Sequence, residues 1–546
     1  MSMPPIDPDT SRSPSLLLTN LYLVLGLLIL VFALPRQADA FRSYMIGAGV
    51  LFALALLGVL FMRLERIDVR RVARLHWPGW DALLWTLSMA PGLWVIAIGI
   101  NVITATLFGY VMPVPPTVFP TDLAGALALL LATIVAAPLC EELMFRGYVQ
   151  PAYERGGPWI GIPVTALIFA MYHLRFQGLF ALIPVSLMLG FVTWRTHSLL
   201  PAILLHALYN GMAATLMLAT TFLPTTWAGG LAMFGLGISL LCLPLVPLGM
   251  WMLWRITAPP RARPTRVWGW RRWLAPIPLL ALLLFYIYAA AIEVVVGGFP
   301  ELLASESLTL EAPAAWTAET TWVYGLYTFQ DDPVGTATCT LAPQTEHFAL
   351  HCAAEREAFS LETFPMNLPI PERWLGLARA ADAAMWEHRV LWTSEALLNL
   401  TGIEGRRSVA GRAISTTLAA QSADHIALAI AGARETETLT LPADVLIQDE
   451  WPWRLAGLPF DIAYGASRPF LRFDDDGVPH VEDAYVLVRG GEPVQTPAGN
   501  FVTWKVTVTY PDARGRDVVR SAWYDAEAPH TLVRYEDGVV RYLLEE

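Results

Sequence analysis

Charge is what this chain has least of: Asp, Glu, Lys and Arg make up 15% of its 546 residues, and Lys505 is the sole lysine. Soluble domains carry about a quarter charged residues. Here hydrophobic residues reach 55% and the mean hydropathy is +0.48, so lipid is the solvent for much of the chain. The little charge present is unevenly placed. Residues 1–296 hold 18 Lys+Arg and 11 Asp+Glu, a net of +7, whereas 297–546 hold 18 and 36, a net of −18. The acidic half lacks the clustered Lys/Arg that phosphate contact needs, which argues against nucleic acid as a partner. An apolar basic half and an acidic half imply two domains in different surroundings.

Nine apolar stretches have the length of membrane helices: roughly 15–34, 42–62, 82–108, 122–146, 158–175, 178–195, 198–222, 228–254 and 273–296. Basic residues are missing from the loops after the third (Gly109 to Thr121) and seventh (Leu223 to Trp227). They crowd the loop after the second (Arg63, Arg66, Arg70, Arg71, Arg74) and after the eighth (Arg255, Arg261, Arg263, Arg266, Arg271, Arg272). Positive loops stay cytoplasmic, so the amino terminus is expected inside and everything beyond the ninth stretch outside. Ala38-Asp39-Ala40 fits a signal-peptidase site, but the preceding apolar run of about 20 residues exceeds a signal peptide's core and reads as a retained helix. Trp77, Trp80, Trp268 and Trp270 read as interfacial anchors. The expected fold is an α-helical polytopic membrane bundle of eight or nine spans followed by a β-rich extracytoplasmic domain. Its divisions are 1–80 (first helices and Arg-rich cytoplasmic loop), 81–256 (membrane core), 257–299 (basic loop and last helix) and 300–546 (acidic β-rich domain).

In the acidic half, Trp504 to Tyr510 alternates as a strand does, and Thr531 to Tyr535 and Val539 to Leu544 flank a Glu536-Asp537-Gly538 hairpin turn. Ala378 to Leu400 reads as a helix. Four cysteines are present: Cys140 and Cys242 fall in apolar stretches as small core residues. Cys339 and Cys352 flank an apparent hairpin around Pro343 to Glu346, where opposed positions can bridge outside the cytoplasm; spacing alone leaves pairing open.

Against this background, Glu141, Glu142 and Arg146 continue the apolar run from Leu123 to Leu139, while His173 and then His206 with Asn210 lie on the next apolar stretches. Ionisable groups within membrane helices are costly, which makes them functional-site candidates. Residues four apart share a helix face and residues five apart diverge by about 140°. Arg146 is therefore placed to pair with Glu142, leaving Glu141 without a local partner. A desolvated carboxylate with no cationic partner suits a general base. By the same rule Phe169 shares a face with His173, and His206 with Asn210, so that a His and an Asn one turn apart can stabilise one oxyanion.

Glu141-Glu142-x-x-x-Arg146, Phe169-x-x-x-His173 and His206-x-x-x-Asn210, in that order on successive apolar segments, resemble the CPBP family of intramembrane proteases. That family covers CAAX-processing and bacteriocin-processing enzymes and includes the Ras-converting CAAX endopeptidase. Ala137-Pro138-Leu139, Phe145-Arg146-Gly147 and Ser198-Leu199 also look like the family. The resemblance covers about 120–222 closely and places a protease core in 81–256. It implies a membrane endopeptidase in which Glu141 and His173 activate water, His206 and Asn210 stabilise the oxyanion, and Glu142, Arg146 and Phe169 support the site. Glu141, His173 and His206 would also make a zinc triad; a metal-free, glutamate-activated water fits as well, and the reading adopted is of no tightly bound metal. The implied partners are a protein or peptide substrate and the lipid bilayer. Arg in place of Lys suggests a GC-rich bacterial genome, hence a bacterial cell membrane and no prenylated substrate. The closing strands, with Ala522-Trp523-Tyr524 and Ala528-Pro529-His530, faintly resemble periplasmic β-barrel domains of unknown function, which assigns no activity.

The alternatives are a non-catalytic scaffold or immunity-type protein whose outer domain binds a partner, and, more distantly, a transporter, for which paired broken helices in matching halves are missing. A purely structural role for Glu141, His173 and His206 together would need three coincidences. His76 and His197 read as interfacial, and His347, His351, His388, His425, His480 and His530 as surface or turn residues. One tension remains. His206 lies about 12 Å into its span, whereas His173 counted from Pro158 lies about 22 Å in; the two meet only if the fifth helix begins below the membrane surface or tilts strongly.

Overall fold

The computed structural model describes residues 14–546 apart from 34–38, 111, 113, 258–273, 299–309, 361–379 and short stretches between 311 and 516. Trp268, Trp270, Ala38 and the arginines from Arg261 to Arg272 lie outside the described residues. Two compact units emerge, one of residues 1–112 and 117–298, the other of 113–116 and 299–546.

The first unit is helical. Among the described residues seven helices are long and apolar enough to cross a membrane: Leu16–Ala33, Ala40–Leu64, Trp80–Phe108, Leu123–Gly156, Phe176–Thr196, Leu200–Phe222 and Pro276–Gly297. The expected eighth span is a pair of helices, Thr226–Leu241 and Leu245–Ile256, bent by 46°, and Cys242 sits at that break rather than inside a helix. The expected fifth span is a short helix: Pro158–Tyr172 has 15 residues, about 22 Å against a hydrocarbon core of about 30 Å. Its true partner is the fourth helix, which runs on past Arg146 to Gly156. Gly157, at φ 101, reverses the chain. The arm from Arg146 to Gly156 and the arm from Pro158 to Phe169 are then matched, each about 15 Å long. The Phe145 and Phe169 rings meet edge to face at 5.1 Å. Depth counted from Pro158 thus measures from a hairpin tip, and the tension between His173 and His206 disappears.

Proline shapes the fourth helix. Residues Leu131–Ala136 and Phe145–Val149 are π-helical, flanking the α-helical Ala137–Met144 that bears both glutamates. Each π segment ends two residues before a proline, Pro138 and Pro151. A proline inside a helix lacks an N–H and collides with the carbonyl four residues back, and one wider turn relieves the clash.

Among the described residues the second unit contains a 15-stranded sheet in which the first strand, Thr320–Tyr327, pairs with the last, Arg541–Leu544, and the consecutive strands Thr436–Pro442 and Leu446–Ile447 form its two edges. All pairs are antiparallel save Leu446–Ile447 with Gly465–Phe473. The sheet curls. Trp386 and Tyr542 stand four strands apart, about 19 Å on a flat sheet, yet their rings are 6.3 Å apart. Its concave face collects one apolar core around Trp392, Trp451, Tyr324 and Tyr524, with the short helix Trp451–Arg454 inserted into it.

The helix expected over Ala378 to Leu400 is instead a strand, Ala384–Thr393, pairing on both edges with His347–Arg356 and Leu400–Val409. His388, Val390 and Trp392 are buried while Met385, Glu387 and Arg389 are exposed. That two-residue alternation was masked by alanine-rich flanks with strong helical propensity. It also makes His388 a buried residue, not a surface one.

Cys339 and Cys352 oppose each other directly in adjacent strands and are joined as a disulfide closing 13 residues. A loop of that size is worth on the order of 3 kcal/mol of stability. Cys339→Ser should lower the denaturant midpoint of the full chain in detergent, read by tryptophan fluorescence under non-reducing conditions, and dithiothreitol should reproduce the loss in the wild type.

Candidate active site

The buried centre of the helical unit is an ion pair. Arg146 Nη1 donates to Glu142 Oε1 at 3.0 Å, with both side chains fully buried. Arg146 Nη2 donates to the carbonyl and hydroxyl oxygens of Ser186 at 3.0 and 2.6 Å, and the guanidinium lies 4.5 Å over the Phe169 ring. A buried charge pair is better tolerated the more of its remaining groups find partners; here Ser186 receives Nη2 and Phe169 faces the guanidinium, while Arg146 Nε and Glu142 Oε2 make no hydrogen bond. Phe169 serves as a floor for both imidazoles, with ring centroids 4.9 Å from His173 and 6.0 Å from His206.

Glu142 has a second partner that helix faces alone did not reveal. His206 Nδ1–H donates to the same Oε1 at 2.8 Å, and His206 is 5% exposed. With Nδ1–H held by a carboxylate, the tautomer is set and Nε2 is the reactive nitrogen. That Nε2 lies 3.9 Å from Glu141 Oε2. Glu141 makes no bond to Arg146, and its side chain keeps 15% of its surface open. One imidazole therefore stands between two glutamates adjacent in sequence, gripped by one and facing the other.

His173 ends its helix, with Nδ1–H donating to the Phe169 carbonyl at 2.9 Å. Its ring is exposed, with Nε2 free to accept. Asn210 is fixed by the π turn opposite. The Ala137 N–H bonds back to Ala132, and Pro138 has no N–H, so the Thr133 carbonyl is left without a helical partner. Asn210 Nδ2 donates to it at 2.9 Å. A carboxamide has two N–H donors; one is thus spent on orientation and one remains. Sequence reasoning missed Thr133 and Ser186. The signal for Thr133 was present, as Pro138 stands five residues after it; Ser186 carries no pattern beyond being a small polar residue in an apolar helix.

Among the described residues no three His, Cys, Asp or Glu groups are brought close enough together to hold a metal ion. As placed, Glu141, His173 and His206 do not make the zinc triad that sequence order allowed.

Residues 123–212 match the family Rce1-like, described as type II CAAX prenyl endopeptidase Rce1-like. Residues 425–544 match a protein family of unknown function, DUF3108. No curated protein matches. Among solved structures, the chain is similar to a β-barrel-like protein of the domain of unknown function DUF1849 from Brucella abortus, at 10% identity over 43% of this chain and 97% of that one, with a TM-score of 0.28. It is also similar to a candidate lipoprotein from Parabacteroides distasonis, at 11% identity over 44% and 99%, with a TM-score of 0.15. The two glutamates, the two histidines and Asn210 all fall within the first match, and residues 123–212 of this integral membrane protein form an Rce1-like domain of the CAAX-protease family.

Proposed function

We propose that the chain is an intramembrane endopeptidase that cleaves protein or peptide segments with a glutamate-activated water. Glu141 takes a proton from water, and the hydroxide adds to the scissile carbonyl carbon. His173, its Nδ1–H held by the Phe169 carbonyl, accepts a hydrogen bond from that water at Nε2 and orients it. In its doubly protonated form His206 donates Nδ1–H to Glu142 and offers Nε2–H to the oxyanion, alongside the free N–H of Asn210. The C–N bond breaks as the proton on Glu141 passes to the leaving amine. Glu142, Arg146 and Phe169 hold the frame. The observation that carries this reading is the placement of His206, with Nδ1 on Glu142 at 2.8 Å and Nε2 at 3.9 Å from Glu141.

The setting proposed is a bacterial cell membrane, with the amino terminus in the cytoplasm and residues 300–546 outside. The Arg-rich loops support that orientation, as does the Cys339–Cys352 disulfide, since such bonds persist in oxidising compartments.

The test uses the full chain in liposomes with membrane-spanning fluorogenic reporter peptides. The wild type cleaves a subset of them. Asn210→Ala cleaves the same bonds with kcat about 10²-fold lower and KM unchanged, the loss typical of one oxyanion donor. A wild type inert across the panel, or an Asn210→Ala variant as fast as wild type, would count against the mechanism.

A further inference from the structure

The last membrane helix carries one carboxylate that takes no part in this cluster. Glu293 is the only charged residue of Pro276–Gly298 and is 2% exposed. Its Oε2 accepts the Phe176 N–H at 2.6 Å, and its Oε1 accepts the Gln177 N–H at 2.8 Å and the Tyr110 hydroxyl at 3.3 Å. Phe176 and Gln177 open the Phe176–Thr196 helix, whose N-cap residue, Arg175, makes no capping bond of its own. The first N–H groups of a helix have no partner within it. A carboxylate there also meets the positive end of the helix dipole. Glu293 therefore supplies from another helix the cap that the local sequence omits.

What this cap holds is the turn that begins with His173. Only Leu174 and Arg175 separate His173 from the capped helix, and Leu174 has φ 54, a left-handed conformation disfavoured for a side chain of its size. Such a conformation persists when its surroundings over-determine it. The surroundings here are the two bonds to Glu293, the Tyr286 hydroxyl on the Arg175 carbonyl at 3.5 Å, and a reciprocal pair in which Met112 N–H donates to Gln177 Oε1 at 2.9 Å and Gln177 Nε2 donates to the Tyr110 carbonyl at 3.2 Å. Gly297 lets the Tyr110 ring close onto the last helix, because a Cβ there would collide with it.

We propose that Glu293 is a positioning residue for His173. From the last membrane helix it caps Phe176–Thr196 and so fixes the left-handed turn that sets the His173 imidazole over Phe169. This rests on the reading of His173 as the residue that orients the attacking water. It extends the functional unit beyond residues 123–212, to a helix that would otherwise be a plain anchor.

The experiment measures steady-state cleavage by the full chain in liposomes, using a fluorogenic membrane-spanning reporter that the wild type cleaves. Glu293→Gln keeps one acceptor oxygen and turns an amide NH₂ toward a backbone N–H. Its kcat should fall about 10²-fold, the cost of a small misplacement in a positioned site, with KM unchanged. Arg175→Asp restores an N-cap acceptor in cis, so the Glu293→Gln, Arg175→Asp double variant should recover most of the kcat. If the single variant fails to fold, the double variant recovering both fold and kcat supports the proposal, and recovering fold without kcat overturns it. A folded Glu293→Gln with wild-type kcat also overturns it, as does a loss that follows only the amount of folded protein. His173→Ala is run in parallel. If it cleaves normally, the reading of His173 itself falls; if it is inactive while Glu293→Gln is not, only the present proposal falls.

Discussion

Glu141→Gln abolishes hydrolysis and leaves the protein at its normal level and melting temperature. The carboxylate makes no ion pair with Arg146 and is partly open, with His206 Nε2 as its nearest basic neighbour at 3.9 Å. An amide of the same size keeps the packing but cannot take a proton from water. Loss of a general base typically costs 10² to 10⁴ in rate. The check is specific peptidase activity per folded molecule, with detergent melting measured on the same sample. Cleavage at the wild-type rate by this variant would remove Glu141 as the base, whereas cellular function preserved without any hydrolysis would leave the scaffold reading as the better one.

Glu142→Gln does the reverse first: it unfolds the site. The substitution removes the carboxylate paired with Arg146 and leaves that charge fully buried with neutral acceptors alone, the new amide oxygen and Ser186. Removing one member of a buried pair costs about 3–5 kcal/mol, so melting temperature and membrane abundance should fall together. A second loss follows from the shared oxygen, because Glu142 Oε1 also holds His206 Nδ1. Molecules that remain folded should therefore be slow as well, through a mis-set His206. From helix faces alone, activity would fall only in proportion to abundance. A Glu142→Gln variant that is stable but inactive, beside a Glu141→Gln variant that still cleaves, would exchange the roles of the two glutamates.

These two variants also mark how far sequence could be read. Four-residue spacing pairs Glu142 with Arg146 because both lie on one helix, where geometry follows from the α-turn itself. It could not show that His206, 64 positions away, comes to the same oxygen. Asn210 and Thr133 are a similar case. Pro138 announces a disturbed helix, but only packing brings Asn210 to the carbonyl that the disturbance frees. Glu293 carries the signal that singled out Glu141 and Glu142, a carboxylate in an apolar helix, yet the sequence reading passed over it. Its partners, the unpaired N–H groups of another helix, have no signature in sequence.

The two architectures were readable for different reasons. Membrane helices satisfy their backbone within a contiguous segment, so length and hydropathy locate them; Pro158–Tyr172, at 15 residues, is the short case, because the helix before it runs on past Arg146 and the two meet at a hairpin turn. The strand Ala384–Thr393 was read as helix because a strand's hydrogen bonds go to other segments, and local propensity does not register them. Hydropathy, charge and motif order thus sufficed for a membrane bundle, a separate acidic β-rich half and the identity of the polar residues. Tertiary structure decided which oxygen holds which imidazole, which carbonyl holds Asn210, and which helix caps the His173 turn, since each of those contacts joins groups that only packing brings within hydrogen-bond reach.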